Sequence, residues 1–198
     1  MNVSIKFLGA AQSVTGSKYL LEIDTKKKVV DCGLFQGLKE LRLSNWDKLP
    51  IDPSQIDLVV ITHAHIDHTG YLPRLVKDGF KGKIMCTSAT EDLMQIMLLN
   101  AAGSRGRRLI EGEKFVRIFG NDISVNCHIR EIHGLSAHAN QSELMRWLGN
   151  FSKNPKITFI THGEIKSATT FSKLIEDKLG WKTIIPKYLE AINLFTPI

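Results

Sequence analysis

Asp57-Leu58-Val59-Val60-Ile61-Thr62 runs straight into His63-Ala64-His65-Ile66-Asp67-His68, so an apolar strand delivers three imidazoles and a carboxylate within six residues. Neutral imidazole and carboxylate are the donors that zinc and similar divalent ions prefer. A strand that ends in a loop can aim His63 and His65 at one ion and Asp67 and His68 at a neighbouring one. A histidine-rich surface loop is the bland alternative, but the segment is internal and leads into the amphipathic run Thr69-Gly-Tyr-Leu-Pro-Arg-Leu-Val76. Such a cluster points to metal-assisted hydrolysis.

The rest of the composition is that of a folded chain. With 198 residues and 43% hydrophobic content it can bury one good core, which favours a single domain or two tightly packed halves. No window of about 18 apolar residues offers a membrane span, and Met1-Asn-Val-Ser-Ile-Lys6 lacks the regions of a signal peptide, so the expected location is the cytoplasm. Cys32, Cys86 and Cys127 are odd in number, far apart and set in apolar segments, which reads as reduced core thiols. A net charge of +6 fits a polyanionic partner, yet many lysines are scattered over helix faces that read as solvated, so charge alone does not specify nucleic acid.

Strand-like and helix-like segments alternate along the chain, which predicts an α/β layered architecture. Val3–Leu8 reads as a strand, and Lys18–Ile23 with Lys28–Asp31 reads as a hairpin turning over 24–27. Lys83–Thr87 is a further strand, followed by a helix with a capping box Ser88-Ala-Thr-Glu91 that stops near Asn100. Later, 123–132 is β-prone, Asn140 with Glu143 starts a helix, 156–161 reads as a buried strand, and a long final helix carries Phe171, Leu174, Ile175 and Leu179. His138, in a loop before a helix, and His162, at the end of a strand, repeat the strand-then-loop placement of the first cluster. His128 and His133 read as strand-face residues.

Beyond the cluster, four motifs stand in order: Phe7-Leu-Gly-Ala-Ala-Gln-Ser-Val-Thr-Gly16, Val30-Asp31-Cys-Gly-Leu-Phe-Gln-Gly37, Gly134-Leu-Ser-Ala-His-Ala139 and Ile160-Thr-His-Gly-Glu164. Together they resemble the metallo-β-lactamase superfamily, and within it the β-CASP branch of RNA-processing nucleases. The resemblance implies an αββα sandwich of two facing sheets flanked by helices, with a two-zinc site between the sheet edges. It assigns His63 and His65 to the first zinc and Asp67, His68 and His162 to the second. Asp31 would orient the ligand loop from behind. Asp67 and His138 would act in catalysis, His138 lying beside the substrate phosphate with Ser136 as a further contact.

The sequence departs from that pattern at its middle. Between the helix near Asn100 and the segment Ala101-Ala-Gly-Ser-Arg-Gly-Arg-Arg-Leu109, the rest of the first sheet and the whole β-CASP insertion of the family have no counterpart. The chain therefore reads as one shortened domain, with residues 1–100 and 101–198 as its two halves. The missing stretch would carry a third histidine for the first zinc and the aspartate that bridges the two ions. The expectation is one well-bound zinc, at Asp67, His68 and His162, and a weak second site. Arg105, Arg107 and Arg108 at the junction read equally as phosphate contacts and as a solvated basic turn. Two functions follow: a metal-dependent phosphodiesterase of ribonuclease type acting on RNA, with weakened activity, or a non-catalytic remnant that binds metal or RNA or pairs with a full-length relative. An exposed sheet edge left by the missing strands would favour a homodimer.

Overall fold

The computed structural model describes residues 2–99, 114–118, 121–124 and 139–194. β1 (Val3–Phe7), β2 (Tyr19–Ile23) and β3 (Lys26–Val30) form an antiparallel meander in which Val3 pairs with Ile23 and Tyr19 with Val30. The β2–β3 turn is tighter than the sequence predicts: Ile23 pairs with Lys26, leaving Asp24 and Thr25 as a two-residue loop. Asp24 takes φ +50°, the left-handed conformation that such hairpin loops require and that Asp tolerates.

From β3 the chain crosses through α1 (Lys39–Leu43) to β4 (Leu58–Val60), which lies parallel to β3, and then through α2 (Ile66–Thr69) and α3 (Leu72–Lys77) to β5 (Lys83–Met85), parallel to β4. At the far end of the chain β10 (Ala191–Asn193) pairs antiparallel with β1, giving a six-stranded sheet of order β10-β1-β2-β3-β4-β5. The chain thus switches from hairpins to parallel crossovers at β3. This places the C-terminal ends of β3 and β4 side by side on one edge, and loops leaving such ends can converge polar groups.

α4 (Ser88–Leu99) follows β5. Its cap differs from the expected Ser88 and Glu91 box: the Thr87 hydroxyl accepts from the Thr90 backbone N–H at 3.2 Å, so the cap lies one residue earlier, and Thr87 also bonds Thr90 Oγ1 at 2.9 Å. β6 (Phe115–Ile118) and β7 (Asn121–Ser124) make a hairpin. α5 (Gln141–Leu148) carries the reciprocal box predicted for it, with the Asn140 side chain accepting from Glu143 N–H at 3.0 Å and the Glu143 carboxylate from Asn140 N–H at 2.8 Å. α6 (Ile165–Leu179) ends on Gly180 at φ +66°, and it separates the parallel pair β8 (Thr158–Phe159) and β9 (Thr183–Ile184).

Two apolar clusters hold these elements. One joins Leu20, Val29 and Val59 of the sheet, with Ile61 just past β4, to Leu72 and Leu75 of α3 and Tyr71 just before it. The other joins Leu148 of α5, Ala168 and Ile175 of α6, Ile160 and Trp181. Burying a side chain of this size is worth about 1.5–3 kcal/mol, so each cluster anchors its helices firmly. Phe7 of β1 meets Phe159 of β8 with ring centroids 5.3 Å apart, which sets the β8–β9 pair against the large sheet. The architecture is the expected mixed α/β one, a large sheet with helices packed on it. Among the described residues no helix is long and apolar enough to cross a membrane.

Candidate metal centre

The site begins where two parallel strands end. β3 runs into Asp31 and β4 into Thr62 and His63, with Asp31 N–H bonded to Val60 O at 2.8 Å so that the two exits stay in register. Asp31 is 2% exposed and sits at φ +59°. Its Oδ1 accepts from Thr62 N–H at 2.8 Å and Thr62 Oγ1 at 2.9 Å, and its Oδ2 lies 2.8 Å from His68 Nδ1. A carboxylate oxygen accepts, so His68 Nδ1 carries the proton and Nε2 points forward as the remaining ring nitrogen.

α2 (Ile66–Thr69) brings Asp67 and His68 forward as a single turn laced to the loop after β3 and the one before β2. Cys32 N–H bonds His68 O at 2.7 Å, Leu34 N–H bonds Ile66 O at 3.1 Å, and Ser17 N–H bonds Asp67 O at 2.8 Å. Between them Gly33 lies so close that a Cβ there would stand 1.6 Å from Asp67 O. Only glycine permits this approach. Lys18, 4% exposed, donates to Gly33 O at 2.6 Å with its ammonium over the Phe35 and Tyr71 rings at 4.5 and 5.0 Å. Burial pushes the Lys18 pKa down to about 8, while its neighbour Cys32 works the other way. Burial likewise pushes the Cys32 thiol up to about 12, an inert core thiol.

His162 arrives from the other half of the chain. It follows β8, takes φ +61°, and its N–H bonds Ala10 O at 2.8 Å, which ties the strand exit to the loop after β1. Left-handed backbone at Asp31 and His162 costs of order 1 kcal/mol or more each, and such strain is typical of functional positions. The side chain meets the α2 turn: His162 Nε2 lies 3.3 Å from Asp67 Oδ2 and 2.9 Å from His68 Nε2, and His68 Nε2 lies 3.5 Å from Asp67 Oδ2. Burial opposes ionisation of Asp67, but hydrogen bonds from His162 and His68 outweigh it and hold the carboxyl well below the usual range. Burial also opposes charge on His68, yet Asp31 and Asp67 push its pKa up to about 9.

These three side chains, and no other group of three among the described residues, place metal-type donor atoms within 4.8 Å of one another. Zinc bonds of about 2.0–2.1 Å in a tetrahedron put neighbouring donors about 3.3–3.4 Å apart. Two of the observed separations, 3.3 and 3.5 Å, match that edge, and the third, 2.9 Å, is a few tenths of an ångström shorter. Both the donor chemistry and the spacing fit one zinc held by Asp67, His68 and His162.

His63 and His65 stand beside this trio. Their rings are 4.7 Å apart with His63 Nε2 3.2 Å from His65 Nδ1, and the His63 ring stacks at 3.9 Å on His68. Burial lowers the His63 pKa, and the neighbouring His68 and His65 lower it further. The four imidazoles form one continuous patch, and His63 and His65 belong to no group of three metal-type donors within 4.8 Å among the described residues. The sequence-predicted Ser136, His138, Arg105 and Arg107 lie outside the described residues, as do His128, His133 and Cys127. Thr62, Gly33 and Lys18 escaped sequence reasoning. For Lys18 a signal existed, a lysine next to the apolar strand Tyr19-Leu-Leu, but its burial is a tertiary fact.

Comparison with known proteins gives the pattern a context. A family profile described as the metallo-β-lactamase superfamily matches residues 14–150, and one described as a Zn-dependent metallo-hydrolase RNA specificity domain matches residues 122–186. Ribonuclease TTHA0252 of Thermus thermophilus is 45% identical over 47% of this chain and 21% of its own length. The transcription termination factor FttA of Cenarchaeum symbiosum is 38% identical over 58% of this chain and 19% of its own. Cleavage and polyadenylation specificity factor 73 of Drosophila melanogaster is 43% identical over 48% and 14%. The chain therefore matches about a fifth or less of the length of these relatives. The first profile spans most of the sequence, including the β3 and β4 exits and the α2 turn, while His162 falls within the second, and the chain belongs to the metallo-β-lactamase superfamily.

Proposed function

We propose that this chain is a zinc-dependent hydrolase of phosphodiester bonds in RNA, acting at the Asp67, His68 and His162 centre. The observation that carries the reading is the convergence of a carboxylate and two imidazoles from opposite halves of the chain, with Asp31 fixing the tautomer of one of them. Similarity to a ribonuclease and to an RNA specificity domain supports RNA as the substrate class. Zinc bound there supplies a water of lowered pKa, about 7, and positive charge for developing phosphoryl oxygens. The protein's own groups do the rest. Asp67, held ionised, offsets the cation's charge, and Asp31 keeps the His68 Nε2 lone pair aimed at the centre. In this reading His138, Ser136, Arg105 and Arg107 contact the substrate phosphates, and a second ion would have His63 and His65 as its protein ligands among the described residues.

That short ligand list favours a second reading, a metal-binding chain whose catalysis is residual, because two imidazoles alone make a weak site. A fluorogenic RNA oligonucleotide separates the two. Zinc-dependent cleavage that disappears in Asp67→Ala, with the circular dichroism melt retained, supports the enzyme. Zinc binding without cleavage sinks it and leaves the binding protein.

A further inference from the structure

A groove of about 790 Å³ opens between α5 and α6 and ends at His162. Gln141, Leu144 and Trp147 line one wall, Lys166 and Phe171 the other, and the exit of β8 forms the floor. Its size is that of a ligand site, and it shares a residue with the candidate metal centre. At its lip Trp147 is 60% exposed, a large apolar surface left in solvent. The indole is nonetheless braced: the Phe151 ring stands nearly perpendicular to it, centroids 5.1 Å apart at 88°, and Phe151 in turn lies 5.6 Å from Trp181, which is 5% exposed. A braced indole that stays mostly open to water offers a stacking surface. Among the described residues Lys166 is the one lysine or arginine in the groove's lining, and residues 140–186 as a sequence hold seven Lys and Arg against four Asp and Glu.

We infer that this groove is a subsite for single-stranded RNA, in which Trp147 stacks on a base and Lys166 takes a backbone phosphate of the strand whose reacting phosphate lies at His162. The inference rests on the RNA-hydrolase reading above and extends it to substrate binding. An apolar protein segment would fill the groove equally well by shape, but it would have no use for Lys166 or for an approach that ends at a metal centre. Stacking tolerates any base and the lysine reads only charge, so the subsite is sequence-tolerant.

The test is equilibrium binding of a fluorescein-labelled single-stranded RNA octamer, with a phosphorothioate backbone against cleavage, to the full zinc-loaded chain. Trp147→Ala should weaken binding about fivefold or more, Trp147→Phe should recover part of it, and Trp46→Ala, which removes an exposed indole outside the groove, should stay within about twofold. Lys166→Gln should lower the salt dependence by about 0.7 in the log–log slope. Unchanged affinity in both Trp147→Ala and Lys166→Gln, or no binding of the octamer to the wild type, overturns the subsite. If Trp147→Ala does not fold, Trp147→Phe and Lys166→Gln decide. Zinc-dependent cleavage by the wild type with no effect of these variants defeats the subsite alone, whereas variant-sensitive binding without cleavage upholds it and defeats the catalytic reading.

Discussion

Asp31→Asn is the substitution that most sharply probes how the fold prepares a metal ligand. The carboxyl oxygens face different partners: Oδ1 takes Thr62 N–H and Oγ1 at 2.8 and 2.9 Å, and Oδ2 takes His68 Nδ1 at 2.8 Å. An asparagine that keeps its oxygen on the Thr62 side points its NH₂ at a ring nitrogen that already carries a proton. The flipped amide instead opposes Thr62 N–H with a donor, and a donor left facing a donor costs about 1–3 kcal/mol. The cheaper escape is for His68 to move its proton to Nε2, the nitrogen that faces Asp67 and His162. The lone pair for the metal is then gone. Backbone strain does not confuse the result, because asparagine accepts the φ of +59° found here as readily as aspartate does. Loss of such a supporting carboxylate lowers metal affinity about 10–100-fold, or about 1.4–2.7 kcal/mol. Competition for zinc with a chromogenic chelator measures the affinity, and ¹⁵N shifts of the imidazole report the tautomer. Zinc affinity within twofold of wild type, with His68 still protonated on Nδ1, would refute the reasoning.

Three further outcomes follow from the same geometry. Gly33→Ala drives a Cβ to 1.6 Å from Asp67 O and should cost about 3 kcal/mol or more in a urea melt, whereas Gly163→Ala, with nothing within 4 Å, should stay within about 0.5 kcal/mol; equal midpoints would show that the close approach is relaxed at no cost. His68 is raised above its ordinary 6.5 to about 9, so its contribution to the stability of the metal-free protein is fully present below pH 6.5 and is lost as pH rises toward 9. Chemical melts at pH 6, 7.5 and 9 should show that decline and its flattening in Asp31→Asn, and a slope shared by both proteins would assign it to another group. Zinc binding at pH 7.5 should release close to one proton, because His68 is charged before the metal arrives, and calorimetry in buffers of different ionisation heat that finds none would contradict the His68 assignment.

How much of this was written in the sequence depends on distance along the chain. The strand Leu58–Val60, the Asn140 start of α5 and the long helix carrying Phe171, Leu174, Ile175 and Leu179 are local patterns of apolar spacing and cap chemistry, and they appear where those patterns place them, whereas the loop expected at 66–69 is a helical turn. Misreadings were local as well: Thr87 rather than Ser88 caps α4, because both are competent caps one residue apart, and only the path of the backbone after β5 selects between them. The site was legible as ligand types and spacing. What escaped was the support behind it. That Lys18 bonds Gly33 O, or that Thr62 shares Asp31 with His68, depends on how strands distant in sequence pair, and no local propensity encodes it.

The route by which His162 reaches the centre joins folding to function. It lies 94 residues from His68, and what aims it there is a short chain of contacts: Phe159 on Phe7, His162 N–H on Ala10 O, and β10 beside β1. Each crosses from the C-terminal half to the first hairpin, so the three-ligand centre exists only once the chain's two halves have closed. Asp67 and His68 without His162 form a two-ligand site, comparable in weakness to His63 and His65. Metal affinity at this centre therefore reports closure of the halves, and a substitution remote from every ligand, such as Phe159→Ala at the β1 contact, should loosen zinc by shifting that equilibrium rather than by touching the donors.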